Sequence, residues 1–298
     1  MNVPPIIRQE GAAPPVLPGV PGGACEPDSS RRAPRWGWLV MLGLMVSYIV
    51  AMTVLAGRHA GTGPAMSGTA GALMLESGAS LGLFAALFGV GLACVWRGRR
   101  ELWGQRPHTL WTWAWGTLWF VALRVAAAVP VLVVAMVLQL QHGPAALEKV
   151  KALRPKIESL MPPESLGDPL YALACMTWIS FVVAGLREEL WRAAFLRGFR
   201  ALFPRGGEAW CAWAGVGVSS VLFGLAHLPQ GWMGVALTTV LGLGLGAVQV
   251  ARRSTWEAVV AHGLVDASTF FLLFVIQNPT TRGWLRLPPD FARQVLGG

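Results

Sequence analysis

The sequence predicts an all-α, polytopic membrane bundle of about seven spans, six to eight at the limits. Three observations predict it. Of 298 residues, 54% are hydrophobic and only 13% are charged, against about 25% charged in a soluble domain. Several apolar runs reach about 18 residues, the length that crosses hydrocarbon as a helix. Fifteen tryptophans crowd the ends of those runs, including Trp36, Trp96, Trp111, Trp210, Trp232 and Trp256, where an interfacial belt forms. A very apolar soluble helical protein would not need so many runs of this length.

Residues 1–35 are rich in Pro and Gly and lack periodicity, so they read as a disordered tail without a signal-peptide core. A transmembrane domain is expected over 36–278. Its first span covers about 36–56 and its second about 77–96, after a Gly/Ala/Thr loop. The third, about 110–138, contains Arg124 and Pro130. Residues 139–168 form a polar excursion. Leu147, Val150, Leu153, Ile157 and Leu160 recur there at helical spacing and Pro155 interrupts them, which predicts a short interfacial helix. Asp168-Pro169 opens the fourth span, one long helix reaching Phe203 and stopped by Pro204-Arg205-Gly206-Gly207. The fifth, sixth and seventh spans cover about 210–228, 232–250 and 256–276. Gly242 and Gly246 make a GxxxG, a pattern of close helix packing. Asn278-Pro279 begins a polar tail, 279–298.

Net charge is +9, and its placement decides its meaning. Arg31-Arg32-Arg35, Arg97-Arg99-Arg100-Arg106, Arg197-Arg200-Arg205 and Arg252-Arg253 flank apolar spans. This is the positive-inside pattern and fits anionic lipid rather than nucleic acid. Threading seven spans with the N-terminus inside places most Lys and Arg on the inner side, with Lys149, Lys151, Arg154 and Lys156 as an outer exception. The four cysteines, Cys25, Cys94, Cys175 and Cys211, form no CxxC pair, so neither a zinc ribbon nor a disulfide framework is indicated.

Ionisable side chains in hydrocarbon cost several kcal/mol each. Glu188, Glu189 and Arg192, then Phe223 and His227, then His262 and Asp266 sit in or beside apolar spans. Arg192 can reach either carboxylate at i,i+3 or i,i+4. Asp266, one turn from His262, can fix the tautomer of that imidazole. Each group alone has a structural explanation as a helix-end charge or a satisfied core residue. Together, in successive parts of one membrane core, they suggest a water-activating site.

The ordered set Glu-Glu…Arg, Phe-x-x-x-His and His-x-x-x-Asp resembles the CAAX-protease and bacteriocin-processing family of intramembrane proteases, also called the Abi family. The resemblance covers about residues 165–278. It implies a glutamic-type intramembrane peptidase without a cofactor, acting in the bilayer on a protein with a membrane-embedded or lipidated segment. By position, Glu188 and Glu189 take the paired-Glu places, Phe223 and His227 the second motif, and His262 and Asp266 the third. Two departures stand out. Only Leu190 and Trp191 separate the Glu pair from Arg192, where the family has three residues, and an Arg-Gly follows later at Arg197-Gly198. Asp266 stands where Asn is commoner. An ionised Asp cannot donate to an oxyanion, so Asp266 either stays protonated or orients His262, and the orienting role is preferred.

The expected chemistry has Glu188, assisted by His227, taking a proton from water, Arg192 holding the Glu pair, and His262 facing the oxyanion. A competing arrangement is a zinc site of Glu188, His227 and His262, although no HExxH occurs. A non-enzymatic alternative is a transporter or scaffold using the buried charges as an ion path, with Arg124 beside Pro130. The composition suggests a GC-rich bacterium and so an inner-membrane location, the placement of Lys and Arg a cytoplasmic N-terminus, and the family resemblance implies a sorting role like that of the myxosortases. Geometry poses a difficulty. At 1.5 Å per residue, Glu188 lies about 18 Å from Arg200, His262 about 10 Å from Thr255, and His227 about 26 Å from Trp210. Bringing them together predicts tilted helices or a broken fifth helix, with span boundaries displaced by several residues.

Overall fold

The structure is a computed structural model that describes residues 33–59, 66–98, 102–103, 109–146, 148–149, 154–156, 161–203 and 207–288. Its long helices are α1 (Arg35–His59), α2 (Ala70–Cys94), α3 (Thr109–His142), α4 (Pro169–Leu202), α5 (Glu208–Ala226), α6 (Trp232–Arg252) and α7 (Thr255–Gln277), followed by the short α8 (Pro279–Trp284). All seven long helices are apolar and long enough to cross a membrane. The described residues contain no β-strand element. Most of the expected tail, Arg31, Arg32, Arg99, Arg100, Arg106 and Arg205, and the periodic Leu147, Val150, Leu153, Ile157 and Leu160 lie outside the described residues.

The helix boundaries have local causes. Asp168 caps α4, its carboxylate accepting from the Tyr171 N–H at 2.9 Å, and Pro169 supplies the first helical φ. Ser254 and Glu257 have capping-box spacing at the start of α7, with Ser254 Oγ accepting from the Glu257 N–H at 3.2 Å. Three boundaries differ from the sequence reading. Helix α2 starts at Ala70 rather than Ser77, because Thr69 caps the earlier turn. Helix α3 runs to His142 through Pro130; in hydrocarbon, leaving the helix would expose many more backbone groups than the proline does. The polar tail opens with a helical turn, α8, capped by Asn278.

The amino-terminal pair α1–α2 docks on α4 through polar contacts set in apolar packing. Trp191 Nε1 donates to Met45 O at 3.1 Å, Trp178 Nε1 to Ser77 Oγ at 2.9 Å, and Arg35 to Leu202 O at 2.8 Å. Helix α3 is the least buried span and shows a broad apolar face, as a lipid-facing helix does. Its Arg124 is turned inward and donates to Val265 O, Ser268 Oγ and Thr269 Oγ1 on α7, at 2.5, 2.5 and 2.6 Å. Helices α5 and α6 meet through the expected glycines. A Cβ on Gly242 would lie 3.2 Å from Phe223 and Ser220, and one on Gly246 2.9 Å from Val216.

Glu188 and His262 converge without a break in the fifth helix. Helix α5 is unbroken to Ala226, and most boundaries lie within a few residues of those expected. At the α6–α7 turn Arg253 is exposed, while Ser254 and Thr255 are buried. Arg253 reverses the chain in the left-handed region (φ 51°). Thr255 is 4% exposed, its hydroxyl donates to Leu102 O at 2.9 Å, and Trp256 stacks on Trp103 with ring centroids 5.7 Å apart. Seven residues into α7, His262 Nε2 lies 3.8 Å from Glu188 Oε2.

Helix α4 also departs from regular geometry: Cys175–Leu186 is π-helical, and within it the Ser180 hydroxyl donates to Cys175 O at 2.7 Å. π-Turns concentrate at functional sites, and this one ends where the Glu pair begins. Against it, Gly185 faces α7; a Cβ there would stand 3.0 Å from Ser180 O and Val259 O. Gly185→Val should therefore destabilise the bundle by about 1–3 kcal/mol, seen as a lower thermal midpoint in detergent. Gly217→Ala, where a Cβ meets nothing within 4 Å, should not. Equal midpoints for the two would contradict close α4–α7 packing.

Candidate active site

Consecutive residues on an α-helix point about 100° apart, so Glu188 and Glu189 enter different surroundings. Glu189 is completely buried and Glu188 keeps 17% side-chain exposure. Glu189 Oε1 accepts from Arg192 Nη1 and from His262 Nδ1, the latter at 2.8 Å. Its Oε2 accepts from Gln249 Nε2 at 2.8 Å, and the same amide also reaches Glu189 O at 3.1 Å. One carboxylate thereby ties α4, α6 and α7 together. A buried charge needs this degree of pairing, since an unpaired one costs several kcal/mol.

Glu188 faces a cavity of about 340 Å³ lined by α1 and α2 as well as α4 and α5, with Tyr48, Ser80, Arg187, Phe223 and His227 on its walls. Arg187 Nη2 donates to Glu188 Oε1 at 2.8 Å. The other oxygen, Oε2, lies 3.8 Å from His262 Nε2. Asp266 Oδ2 lies 3.7 Å from the same nitrogen. His227 ends α5, and its Nδ1 pairs with Phe223 O at 2.8 Å, which leaves Nε2 as the ring's remaining polar atom.

Phe223 links the groups. Its ring is edge-on to His227 at 4.8 Å and to His262 at 5.9 Å. The Arg192 guanidinium sits over it at 4.8 Å. Arg192 Nε and Nη2 are buried with no hydrogen-bond partner among the described residues, and the π-face supplies the compensating attraction. The spacing Phe-x-x-x-His places both rings on one face of α5.

Residues 170–268 match the family model for type II CAAX prenyl endopeptidase, Rce1-like. The matched third of the chain contains all the motif residues above, and it is consistent with the CAAX-protease family that those motifs resemble. With seven membrane-capable helices, the match supports a multi-pass membrane endopeptidase. No curated protein and no solved structure matches the chain. The described residues contain no group of three or more His, Cys, Asp or Glu that could hold a metal ion.

Geometry alters two details of the sequence reading. Arg192 holds only Glu189, while Glu188 is held by Arg187. Arg192, preferred on reach over Arg197, bonds Glu189; Arg197 lies five residues farther along α4. The residue orienting His262 is Glu189, because Asp266 stands beyond hydrogen-bond distance. Two polar residues went unnoticed in the sequence. Gln249 is an amide inside an otherwise apolar span, which is itself a signal. Arg187 directly precedes the Glu pair. Gln249→Leu would remove the donor to Glu189 Oε2 and should cost about 1–3 kcal/mol, read as a lower unfolding midpoint; an unchanged midpoint would show that Glu189 does not depend on this amide.

Proposed function

We propose that this chain is a glutamic-type intramembrane endopeptidase that cleaves a membrane-associated or lipid-anchored protein near a terminus. The supporting observation is the unequal treatment of the two carboxylates. Glu189 is consumed by three donors, whereas Glu188 opens onto a cavity shared with His227.

In the proposed reaction, Glu188 takes a proton from water beside His227, and the hydroxide adds to the scissile carbonyl carbon. His262, held as an imidazolium with Nδ1–H on Glu189, donates its Nε2–H to the developing oxyanion. Collapse of the tetrahedral species expels the amine, which takes the proton held by Glu188. Arg192 fixes Glu189, and Phe223 spaces the two imidazoles. Asp266 Oδ2, 3.7 Å from His262 Nε2, supports the ring electrostatically. No cofactor takes part in this scheme. The proposed setting is a bacterial inner membrane with the N-terminus in the cytoplasm. The proposed role is C-terminal anchor processing of the kind carried out by myxosortases.

A transport role for the buried charges draws no support from Arg124, whose inward contacts are spent on α7. Glu188→Gln should lower cleavage of an internally quenched, prenylated peptide in proteoliposomes by about 10²–10⁴-fold, with His227→Ala also strongly impaired. Full activity in both variants would end the protease reading. Activity should also survive chelator treatment. A lasting loss restored by zinc would transfer the mechanism to the Glu188, His227 and His262 set.

A further inference from the structure

We infer that Arg187 is a positioning residue for Glu188, and that α1 and α2, which lie outside the family-matched stretch, complete the site by anchoring it. This rests on the proposed function, in which Glu188 activates water. The guanidinium is a rigid planar fork, and its two arms are used differently. Nη1 donates to Tyr48 Oη at 3.3 Å and to Ser80 Oγ at 3.4 Å. Nη2 donates to Glu188 Oε1 at 2.8 Å.

Tyr48 is on α1 and Ser80 on α2, and their hydroxyls are themselves 3.1 Å apart. Tyr48 is 4% exposed and packs edge-on against Phe84 at 5.3 Å, so its hydroxyl is a fixed point. Because the fork is planar, anchoring Nη1 also sets the position of Nη2. Holding Oε1 then leaves Oε2 as the Glu188 oxygen on the His262 side. A carboxylate at the edge of a cavity would otherwise rotate among several settings, only some of which face the water. Lysine carries the charge but has no second arm, so it can pair with Glu188 without fixing its orientation.

The test compares four forms of the full-length protein in proteoliposomes, using the same quenched prenylated peptide: wild type, Arg187→Lys, Arg187→Gln, and the double variant Tyr48→Phe/Ser80→Ala. Arg187→Gln should lower kcat on the order of 10²-fold, the scale of a small misplacement of a catalytic group. Arg187→Lys should recover part of that loss. The double variant leaves Arg187 and Glu188 intact and should lower kcat roughly tenfold with KM within about twofold, a barrier change of about 1.4 kcal/mol. Wild-type kcat in the double variant, or a loss confined to KM, overturns the inference even where Glu188→Gln is inactive. If Arg187→Gln does not fold, the double variant alone decides. A wild-type protein that leaves the peptide uncut sinks the proposed function and this inference with it.

Discussion

The arrangement hangs on one buried carboxylate. Glu189 receives Arg192 from its own helix, Gln249 from α6 and His262 from α7. Removing any donor would leave charge or polarity stranded in a medium that cannot solvate it. The helices are therefore tied to a common point by a group that tolerates little displacement. The Glu189–His262 bond also leaves Nε2 as the imidazole nitrogen on the Glu188 side. The π-helical stretch of α4 ends at Leu186, two residues before the Glu pair.

Around that point the site divides into a closed half and an open half. The closed half is Glu189, Arg192, Gln249 and His262, all buried. The open half is Glu188, Arg187 and His227 along the cavity wall. Phe223 stands between them and touches both histidines and Arg192. An aromatic ring suits this place because it attracts a cation on its face, packs edge-on against imidazoles, and brings no polar atom that would need a partner.

Much of this was legible in the sequence. Spans are a property of composition over about 20 residues, so seven of them could be read from hydropathy and their Trp and Arg flanks. The motif residues stood out because ionisable groups are costly in apolar surroundings. What escaped depends on neighbours distant along the chain. The division of labour between Glu188 and Glu189 is fixed by Gln249, sixty residues away, and by Tyr48, which is farther still from Arg187. The preference for Asp266 as orienter of His262 followed the i,i+4 rule, which ranks only partners on the same helix; the bond is made instead to Glu189 across the bundle. The start of α7 is covered by Leu102, which accepts from Thr255, and by Trp103, which stacks on Trp256. Local periodicity carries no signal of that cover.

The glycine contacts have a consequence beyond packing. At Gly185, Gly242 and Gly246 one helix approaches another with no side chain of its own between them, so the helices bearing the site have little slack. In water, a carboxylate and two imidazoles would each be dressed by solvent that must reorient whenever charge moves among them. Here the dipoles and charges facing Glu189 are parts of the scaffold. The rearrangement that solvent would repeat in every proposed turnover is completed once, when the chain folds.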